Sequence, residues 1–152
     1  MFIQYFIHSG VGHGSTSLTS FDQALLKAGM GNYNLVRVSS ILPVGLIETN
    51  RISLPEGAPL HIAYASITSN NPGDCISSAV SVGIPIDKSK IGVIMEHSAP
   101  ISEATCRQMA ELMVIEAMNC RGYEIERIIT TSCSAIVHGS GYTSVFSGLA
   151  MW

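Results

Sequence analysis

The first thirty residues alternate between apolar segments and turn-forming residues. Residues 2–8 are apolar enough for a buried strand, which the glycine-rich segment Gly10–Gly14 would end. A short helix is predicted next, with Thr19 or Ser20 as its N-cap and Asp22 in its first turn, where the helix dipole favours an acidic side chain. Three small or apolar residues form its buried face: Ala24, Leu25 and Ala28. The pattern therefore predicts a strand followed by a helix.

The next segment has the alternation of a half-buried strand. Polar and apolar residues alternate over Asn34–Ser39, and Pro43 prevents a central strand from continuing. Residues 47–57 are polar and turn-forming, which predicts an exposed connection. The serine pair Ser39-Ser40 therefore lies where a strand ends.

The remainder of the chain predicts one long helix and five further strands. The helix spans Ser102–Arg121, with Ser102 as its N-cap and Gly122 at its end. Its apolar stripe comprises Cys106, Met109, Ala110, Met113, Val114, Ala117 and Met118. The strands span residues 61–68, 76–83, 91–96, 124–137 and 142–151. Because strands often follow one another directly, this order favours an α+β fold over a doubly wound parallel sheet.

The composition predicts one domain, residues 1–152, with part of its surface buried between subunits. Hydrophobic residues make up 47% and charged residues only 12%, which excludes disorder and leaves little polar surface for a monomer. The net charge of −3 and the scattered basic residues argue against nucleic acid as a partner. No segment has the length of a membrane span and no basic residue precedes the apolar N-terminus, so a cytoplasmic location is expected.

Several possible ligand motifs lack the required spacing. The segment Gly10–Gly14 resembles a dinucleotide-binding loop, but Ser15 stands where its last glycine would be, and a tight connection between strand and helix is the favoured interpretation. The five histidines are too dispersed for a metal motif, so no metal is predicted. The four cysteines contain no C-x-x-C pair.

Two features suggest catalysis. A hydroxyl group in Ser39-Ser40, at a strained strand end, can reach the preceding carbonyl, which is the geometry of an N-to-O acyl shift. Serine pairs are common, so this feature alone has little weight. Glu96 ends an apolar run, where a desolvated carboxyl could keep its proton near neutral pH and act as a general acid. An ordinary solvated carboxylate at a strand end is an equal alternative.

Four segments, in order along the chain, resemble the pyruvoyl-dependent arginine decarboxylase family. They are Gly12-x-Gly14-Ser15-Thr16-x-Leu18, Phe21-Asp22-x-Ala24-Leu25-Leu26-x-Ala28-Gly29, Gly31-Asn32-x-Asn34-Leu35-Val36-Arg37-Val38-Ser39-Ser40-Ile41-x-Pro43, and Gly92-Val93-Ile94-Met95-Glu96. The resemblance covers nearly the whole chain. It implies a four-layer αββα sandwich that forms trimers or pairs of trimers, with active sites between subunits.

The resemblance also implies self-processing. The hydroxyl of Ser40 would attack the carbonyl before it and replace the amide with an ester; elimination and hydrolysis would then leave a pyruvoyl group and ammonia. Residues 1–39 would become the β chain and residues 40–152 the α chain, with Ser40 converted into the covalent pyruvoyl cofactor. Asn34 matches the family asparagine that assists cleavage.

The reaction implied by the resemblance is the decarboxylation of L-arginine to agmatine. The α-amine of the substrate would form a Schiff base with the pyruvoyl carbonyl, which accepts the electrons left by departing CO₂. Glu96 matches the acid that protonates the α-carbon, and Asp22 matches the residue that binds the guanidinium. Leu18, Gly31 and Tyr33 match further positions of the substrate pocket.

Two alternatives stay open at this point. One is a related pyruvoyl enzyme that acts on another amino acid, since the arginine assignment rests mainly on Asp22. The other is a non-catalytic assembly protein of the same fold that never cleaves. Two positions depart from the family pattern: Ser17 stands where proline is frequent, and His97 follows the acid where an aromatic residue is common.

Overall fold

Two helices and nine strands make up the fold in the computed structural model, which describes residues 1–152. The helices are α1 (Ser17–Lys27) and α2 (Glu103–Cys120). The strands are β1 (Gln4–Gly14), β2 (Asn34–Arg37), β3 (Ile41–Leu42), β4 (Ile47–Glu48), β5 (Pro59–Ser69), β6 (Cys75–Pro85), β7 (Gly92–Ala99), β8 (Ile125–Ile136) and β9 (Tyr142–Met151). One sheet has the order β2-β5-β9-β1-β4 and the other the order β3-β7-β6-β8. The expected α+β class is confirmed, with the short strands β3 and β4 in addition to the seven expected; β4 lies in the segment expected to be a connection.

The five-stranded sheet is covered on both faces because successive apolar side chains along its strands point to opposite faces. Phe6 and Ala150 belong to the cluster that packs against α1, whereas their neighbours Tyr5 and Leu149 belong to the cluster shared with the four-stranded sheet. Helix α2 packs against β6, β7 and β8 of the four-stranded sheet. The two helices therefore pack on different sheets.

The glycine-rich segment is part of a strand, so the prediction that it ends the first strand is wrong. Strand β1 continues through Gly10–Gly14 and pairs with β9 over this length. A Cβ atom on Gly10 would lie 2.3 Å from the carbonyl oxygen of Ala24, and one on Gly12 would lie 2.3 Å from that of Ser20. The glycines are needed because the backbone of α1 packs directly on the backbone of β1.

Helix α1 begins earlier than expected. Its N-cap is Thr16, not Thr19 or Ser20: the side-chain hydroxyl of Thr16 accepts the N–H of Thr19 at 3.1 Å, and the hydroxyl of Thr19 accepts the N–H of Thr16 at 3.1 Å. Asp22 consequently lies in the second turn, and its expected place in the first turn is wrong. The expected inner face is confirmed by three buried residues: Ala24, Leu25 and Ala28.

Ser17→Pro is expected to stabilise the fold by about 0.4–1 kcal/mol. Ser17 is the first residue of α1, where an N–H has no partner within the helix. Thr16 already has the extended backbone, φ −130° and ψ 161°, that a residue before proline prefers. Thermal denaturation should show a higher Tm, whereas the control Ser20→Pro, inside the helix, should lower it. An unchanged or lower Tm for Ser17→Pro would contradict this reasoning.

Helix α2 agrees closely with its predicted bounds. Ser102 is the N-cap and accepts the N–H of Thr105 at 3.2 Å, and Gly122 follows the C-cap with a positive φ of 66°. Most of the predicted stripe is buried: Cys106, Ala110, Val114, Ala117 and Met118. Met109 is wrongly assigned to it, because its side chain is 42% exposed. No helix of the protein combines the length and hydrophobicity that a membrane crossing requires.

Ionisation of Tyr5 is expected to lower the free energy of unfolding at alkaline pH. It is buried between the sheets and donates to Oε2 of Glu48 at 3.2 Å; burial, reinforced by the Glu48 charge, raises its pKa from 10.0 to about 12. Its contribution is therefore complete below pH 10 and is lost as the pH rises through 12. The free energy of unfolding should fall by about 2 kcal/mol more between these values than in Tyr5→Phe. Urea titrations at several pH values would test this, with Tyr142→Phe as control. An equal decrease in the free energy of unfolding with pH in wild type and Tyr5→Phe would contradict it.

Candidate active site

The Ser39–Ser40 peptide lies where the chain passes from one sheet to the other. Upstream, the pairing of β2 with β5 ends where the N–H of Val38 donates to the carbonyl of Ile62 at 3.0 Å. Downstream, the carbonyl of Ser40 accepts the N–H of Ile94 of β7 at 2.9 Å, immediately before β3 joins the four-stranded sheet. The backbone is thus anchored to different sheets on the two sides of this peptide.

This crossing shortens the strand that the sequence predicts. The expected strand Asn34–Ser39 ends at Arg37. Val38 and Leu42 pack in the same cluster between the sheets, one on each side of the crossing. Because both side chains pack in this cluster, only Ser39–Ile41 connect them, and the chain turns sharply over these three residues.

A tight turn over Ser39–Ile41, here called the crossing turn, takes the chain from the five-stranded sheet to the four-stranded sheet. The N–H of Ile41 donates to the carbonyl of Ser39 at 2.8 Å, a hydrogen bond between residues i and i+2 as in a γ-turn. Ser39 is exposed and Ser40 is half-buried. The carbonyl group that precedes Ser40 is therefore held by one backbone donor.

Glu96 lies on β7 beside the crossing turn. Its Oε2 atom accepts from Oγ of Ser40 at 3.4 Å, which is long for a hydrogen bond between oxygens. Its Oε1 atom lies 3.6 Å from Nη2 of Arg37, and its side chain is 21% exposed. The structure therefore brings together the two residues that the sequence suggested for catalysis, although Glu96 has polar neighbours rather than purely apolar ones.

Sequence reasoning did not single out Arg37. Its guanidinium stacks over the ring of Tyr64, 4.6 Å from the centroid, and donates to the Tyr64 carbonyl at 3.0 Å. The available signal was its position: it is one of only eight basic residues and lies two residues before Ser39. An open cleft of about 420 Å³ is present here, lined by Arg37, Tyr64, Ala65, Ser66, Glu96, His97 and Ser98. The cleft thus presents a carboxylate and a guanidinium side by side.

The residues expected to bind substrate lie on α1 and just after it, away from the crossing turn in sequence; Leu18 and Asp22 are exposed, and Gly31 and Tyr33 are half-buried. Asp22 is exposed on α1 and makes no hydrogen bond or ion pair within the chain, and Leu18 is 75% exposed. Gly31 and Tyr33 follow the end of α1 and line a small cavity of about 130 Å³. No hydrogen bond or ion pair joins this group to the Ser39–Ser40 peptide.

Asn34 lies at the opposite end of β2 from the crossing turn. Its Nδ2 atom donates to the carbonyl of Gly57 at 2.7 Å, and its backbone is aligned with Pro59 of β5. Within one chain, Asn34 therefore does not contact the carbonyl of Ser39.

A buried thiol supports β7 behind the cleft. Cys106 of α2 donates to the carbonyl of His97 at 3.4 Å. Burial raises the pKa of Cys106 to about 11, with smaller contributions from Cys133 and Glu103. This thiol is therefore neutral near pH 7 and packs as a small apolar side chain; all four cysteines are free.

Comparison with known proteins agrees with the resemblance read from the sequence. The family model described as pyruvoyl-dependent arginine decarboxylase matches residues 4–151. A pyruvoyl-dependent arginine decarboxylase from Methanocaldococcus jannaschii is 40% identical over 148 residues, which cover 95% of this chain and 86% of that protein. Proteins of the same name from Methanococcus aeolicus and Thermococcus kodakarensis are 37% and 36% identical, covering 95% and 87% of this chain and 86% and 84% of theirs.

These matches extend well beyond a local motif. The region matched by the family model contains the crossing turn, the carboxylate beside it and both helices. The family predicted from the sequence is therefore confirmed. Over nearly its whole length, this chain belongs to the pyruvoyl-dependent arginine decarboxylase family.

Proposed function

We propose that the chain is the precursor of a self-processing decarboxylase that converts L-arginine to agmatine and CO₂. The observation that carries this proposal is the Ser39–Ser40 peptide, held in a tight turn with the Ser40 hydroxyl next to Glu96. A chain of this family with a hydroxyl beside a constrained backbone carbonyl has the groups that self-processing needs.

Processing begins with attack of Oγ of Ser40 on the carbonyl carbon of Ser39. The carbon–nitrogen bond breaks, an ester forms, and the amino group of residue 40 is released. Elimination then breaks the bond between Cβ and Oγ of Ser40, which frees Ser39 as a carboxylate and leaves dehydroalanine. Addition of water and loss of ammonia produce the pyruvoyl group. Residues 1–39 form the β chain and residues 40–152 the α chain.

The surroundings of Ser40 fit such a group. Ser40 is half-buried, with the Glu96 carboxyl beside it and the cleft of Glu96 and Arg37 adjoining. When formed, the group supplies a ketone that condenses with the α-amine of the substrate and accepts the electron pair left by CO₂. In this proposal Glu96 provides the proton that replaces the carboxyl group on the α-carbon, and Arg37 positions Glu96.

A four-layer αββα sandwich, assembled as a trimer or a pair of trimers, is part of the same proposal. It is supported by the packing of each helix on a different sheet and of the sheets on each other. Asp22 and Leu18 are exposed and unpaired in a single chain, and Asn34 lies away from the crossing turn. A second copy beside the cleft would supply these residues to a site between subunits. Light scattering of the purified protein tests the assembly.

Asp22→Asn is expected to lower kcat/KM for arginine by about 10- to 100-fold while leaving self-cleavage intact. The amide cannot pair with the guanidinium as an ion, and a hydrogen bond to a charged group contributes about 1.5–3 kcal/mol. Steady-state kinetics on arginine would measure the change. Glu116→Gln, an exposed charge change on α2, is the control and should behave as wild type. Unchanged kinetics in Asp22→Asn would remove Asp22 from the site.

Intact mass measured under denaturing conditions tests the proposed function. We expect two fragments that divide after Ser39, the larger lighter than its sequence by one ammonia. A single intact chain after long incubation would contradict self-processing and favour a non-catalytic assembly protein. Assays with arginine, ornithine, lysine and aspartate then test the substrate; activity on an amino acid other than arginine would favour a related pyruvoyl decarboxylase.

A further inference from the structure

We propose that the backbone N–H of Ile41 is the oxyanion donor for self-cleavage. It would hold the carbonyl oxygen of Ser39 while that oxygen takes up negative charge during attack by Ser40. This inference rests on the processing reaction proposed above and adds to it a backbone group, which a substitution that keeps the N–H cannot reveal.

The N–H of Ile41 is free for this task because it takes no part in the sheet. Ile41 is aligned with Val93, and the adjacent residue Ser40 makes the ladder hydrogen bond to Ile94. Hydrogen-bonded and non-bonded pairs alternate in antiparallel strands, so the N–H of Ile41 points away from β7. Strand β3 is at the edge of its sheet, and the partner of this N–H is the carbonyl of Ser39 at 2.8 Å.

The peptide group that donates is itself held in place. The carbonyl of Ser40 and the N–H of Ile41 belong to the same peptide, and that carbonyl accepts the N–H of Ile94 at 2.9 Å. This bond orients the peptide plane and polarises its N–H, which strengthens the donor. On the other side, the bond from Val38 to Ile62 anchors the chain that carries the Ser39 carbonyl. Donor and acceptor are thus arranged before the reaction starts, which is the condition for stabilising a developing charge.

The chemical step explains why the donor matters. When Oγ of Ser40 gives up its proton and bonds to the carbonyl carbon of Ser39, the π electrons of that carbonyl move onto its oxygen. A donor already 2.8 Å from the oxygen is worth more to this anion than to the neutral carbonyl. As the intermediate collapses, the electron pair returns, the carbon–nitrogen bond breaks, and the nitrogen takes up one proton in place of the proton that Oγ gave up.

Replacing Ile41 with its α-hydroxy analogue in the full-length chain removes this N–H and keeps the side chain. We expect self-cleavage to slow by about 10²-fold. Denaturing electrophoresis of samples taken during refolding measures the cleavage rate. Intact mass distinguishes cleavage after Ser39 from hydrolysis of the introduced ester. The same replacement at Val44, an exposed turn residue outside the strands, is the matched control and should cleave at the wild-type rate.

A second replacement separates the donor from a side effect. The ester between Ser40 and Ile41 also makes the Ser40 carbonyl a weaker acceptor for the N–H of Ile94. The α-hydroxy analogue at Ile94 removes that donor but leaves the N–H of Ile41 in place, so it should slow cleavage less than the analogue at Ile41. Cleavage of the Ile41 analogue within twofold of wild type, or an equal or greater effect at Ile94, would overturn the inference. Failure of the wild-type chain to cleave would instead overturn the proposed function.

Hydrogen exchange tests the same bond without semisynthesis. In the Ser40→Ala chain, which cannot cleave, the amide of Ile41 should exchange at least about tenfold more slowly than that of Val44, because a hydrogen-bonded amide is protected. Equal exchange of the two amides would show that the bond is absent and would overturn the inference even if the ester variants failed to fold.

Discussion

Ser40→Ala is expected to abolish self-cleavage and decarboxylation together. Without Oγ there is no nucleophile for the Ser39 carbonyl, and without cleavage no ketone forms at residue 40. The fold should be retained, since Ser40 is only half-buried and its hydroxyl makes a single long contact, to Glu96 at 3.4 Å. Intact mass should show one uncleaved chain after days of incubation, and release of CO₂ from arginine should be undetectable.

The neighbouring serine is the matched control for this prediction. Ser39 is exposed and its hydroxyl makes no hydrogen bond in the chain. Ser39→Ala keeps the attacking group and should still cleave after residue 39. Fragments from Ser40→Ala that divide at the same bond would contradict the proposed chemistry, because another nucleophile would then have to act.

Glu96→Gln is expected to slow turnover by about 10²-fold or more while self-cleavage continues. A glutamine side chain has no acidic proton to deliver to the α-carbon, but its carbonyl oxygen can still accept from the Ser40 hydroxyl. The measurement is kcat per mole of processed α chain, with the processed fraction quantified by intact mass. Normal turnover would mean that another group protonates the product.

Arg37→Gln separates the role of the Glu96 proton from that of its ion pair. This variant removes the guanidinium 3.6 Å from Glu96 but leaves the carboxyl and its proton. If Glu96 acts as the acid, Arg37→Gln should retain much more activity than Glu96→Gln. A comparable loss in both variants would indicate that the ion pair matters, not the proton.

Local chemistry explains which elements could be predicted from the sequence. Helix α2 was predicted almost to the residue because its cap, Ser102, and its ending glycine, Gly122, act on neighbouring residues. The start of α1 was misplaced because Thr16 and Thr19 compete as caps, and the reciprocal hydrogen bonds that favour Thr16 cannot be read from spacing alone. Gly10–Gly14 was assigned to a connection because glycine is usual in turns, whereas here it allows a helix to approach the strand.

The candidate site was predicted in its residue types but not in its arrangement. Ser40 and Glu96 were proposed separately, and the structure places them in contact. Arg37 was missed, since its position two residues before Ser39 does not identify the distant carboxylate with which it pairs. The roles of Asp22 and Asn34 at the site stay predictions, since the Asp22 side chain makes no hydrogen bond within the chain and that of Asn34 donates to Gly57.

The sequence by itself determined the family, the α+β class and the long helix, because each depends on motifs or on periodicity within short segments; the catalytic roles of Ser40 and Glu96 stay predictions. Only the tertiary structure decided that the Ser39–Ser40 peptide crosses between two sheets, that Ile41 donates to the carbonyl of Ser39, and that Arg37 and Ser40 meet Glu96. Ser40 and Glu96 are 56 residues apart along the chain. Strand register and sheet partners are set by packing between such distant segments, and alternation within one strand carries no information about which strand lies beside it.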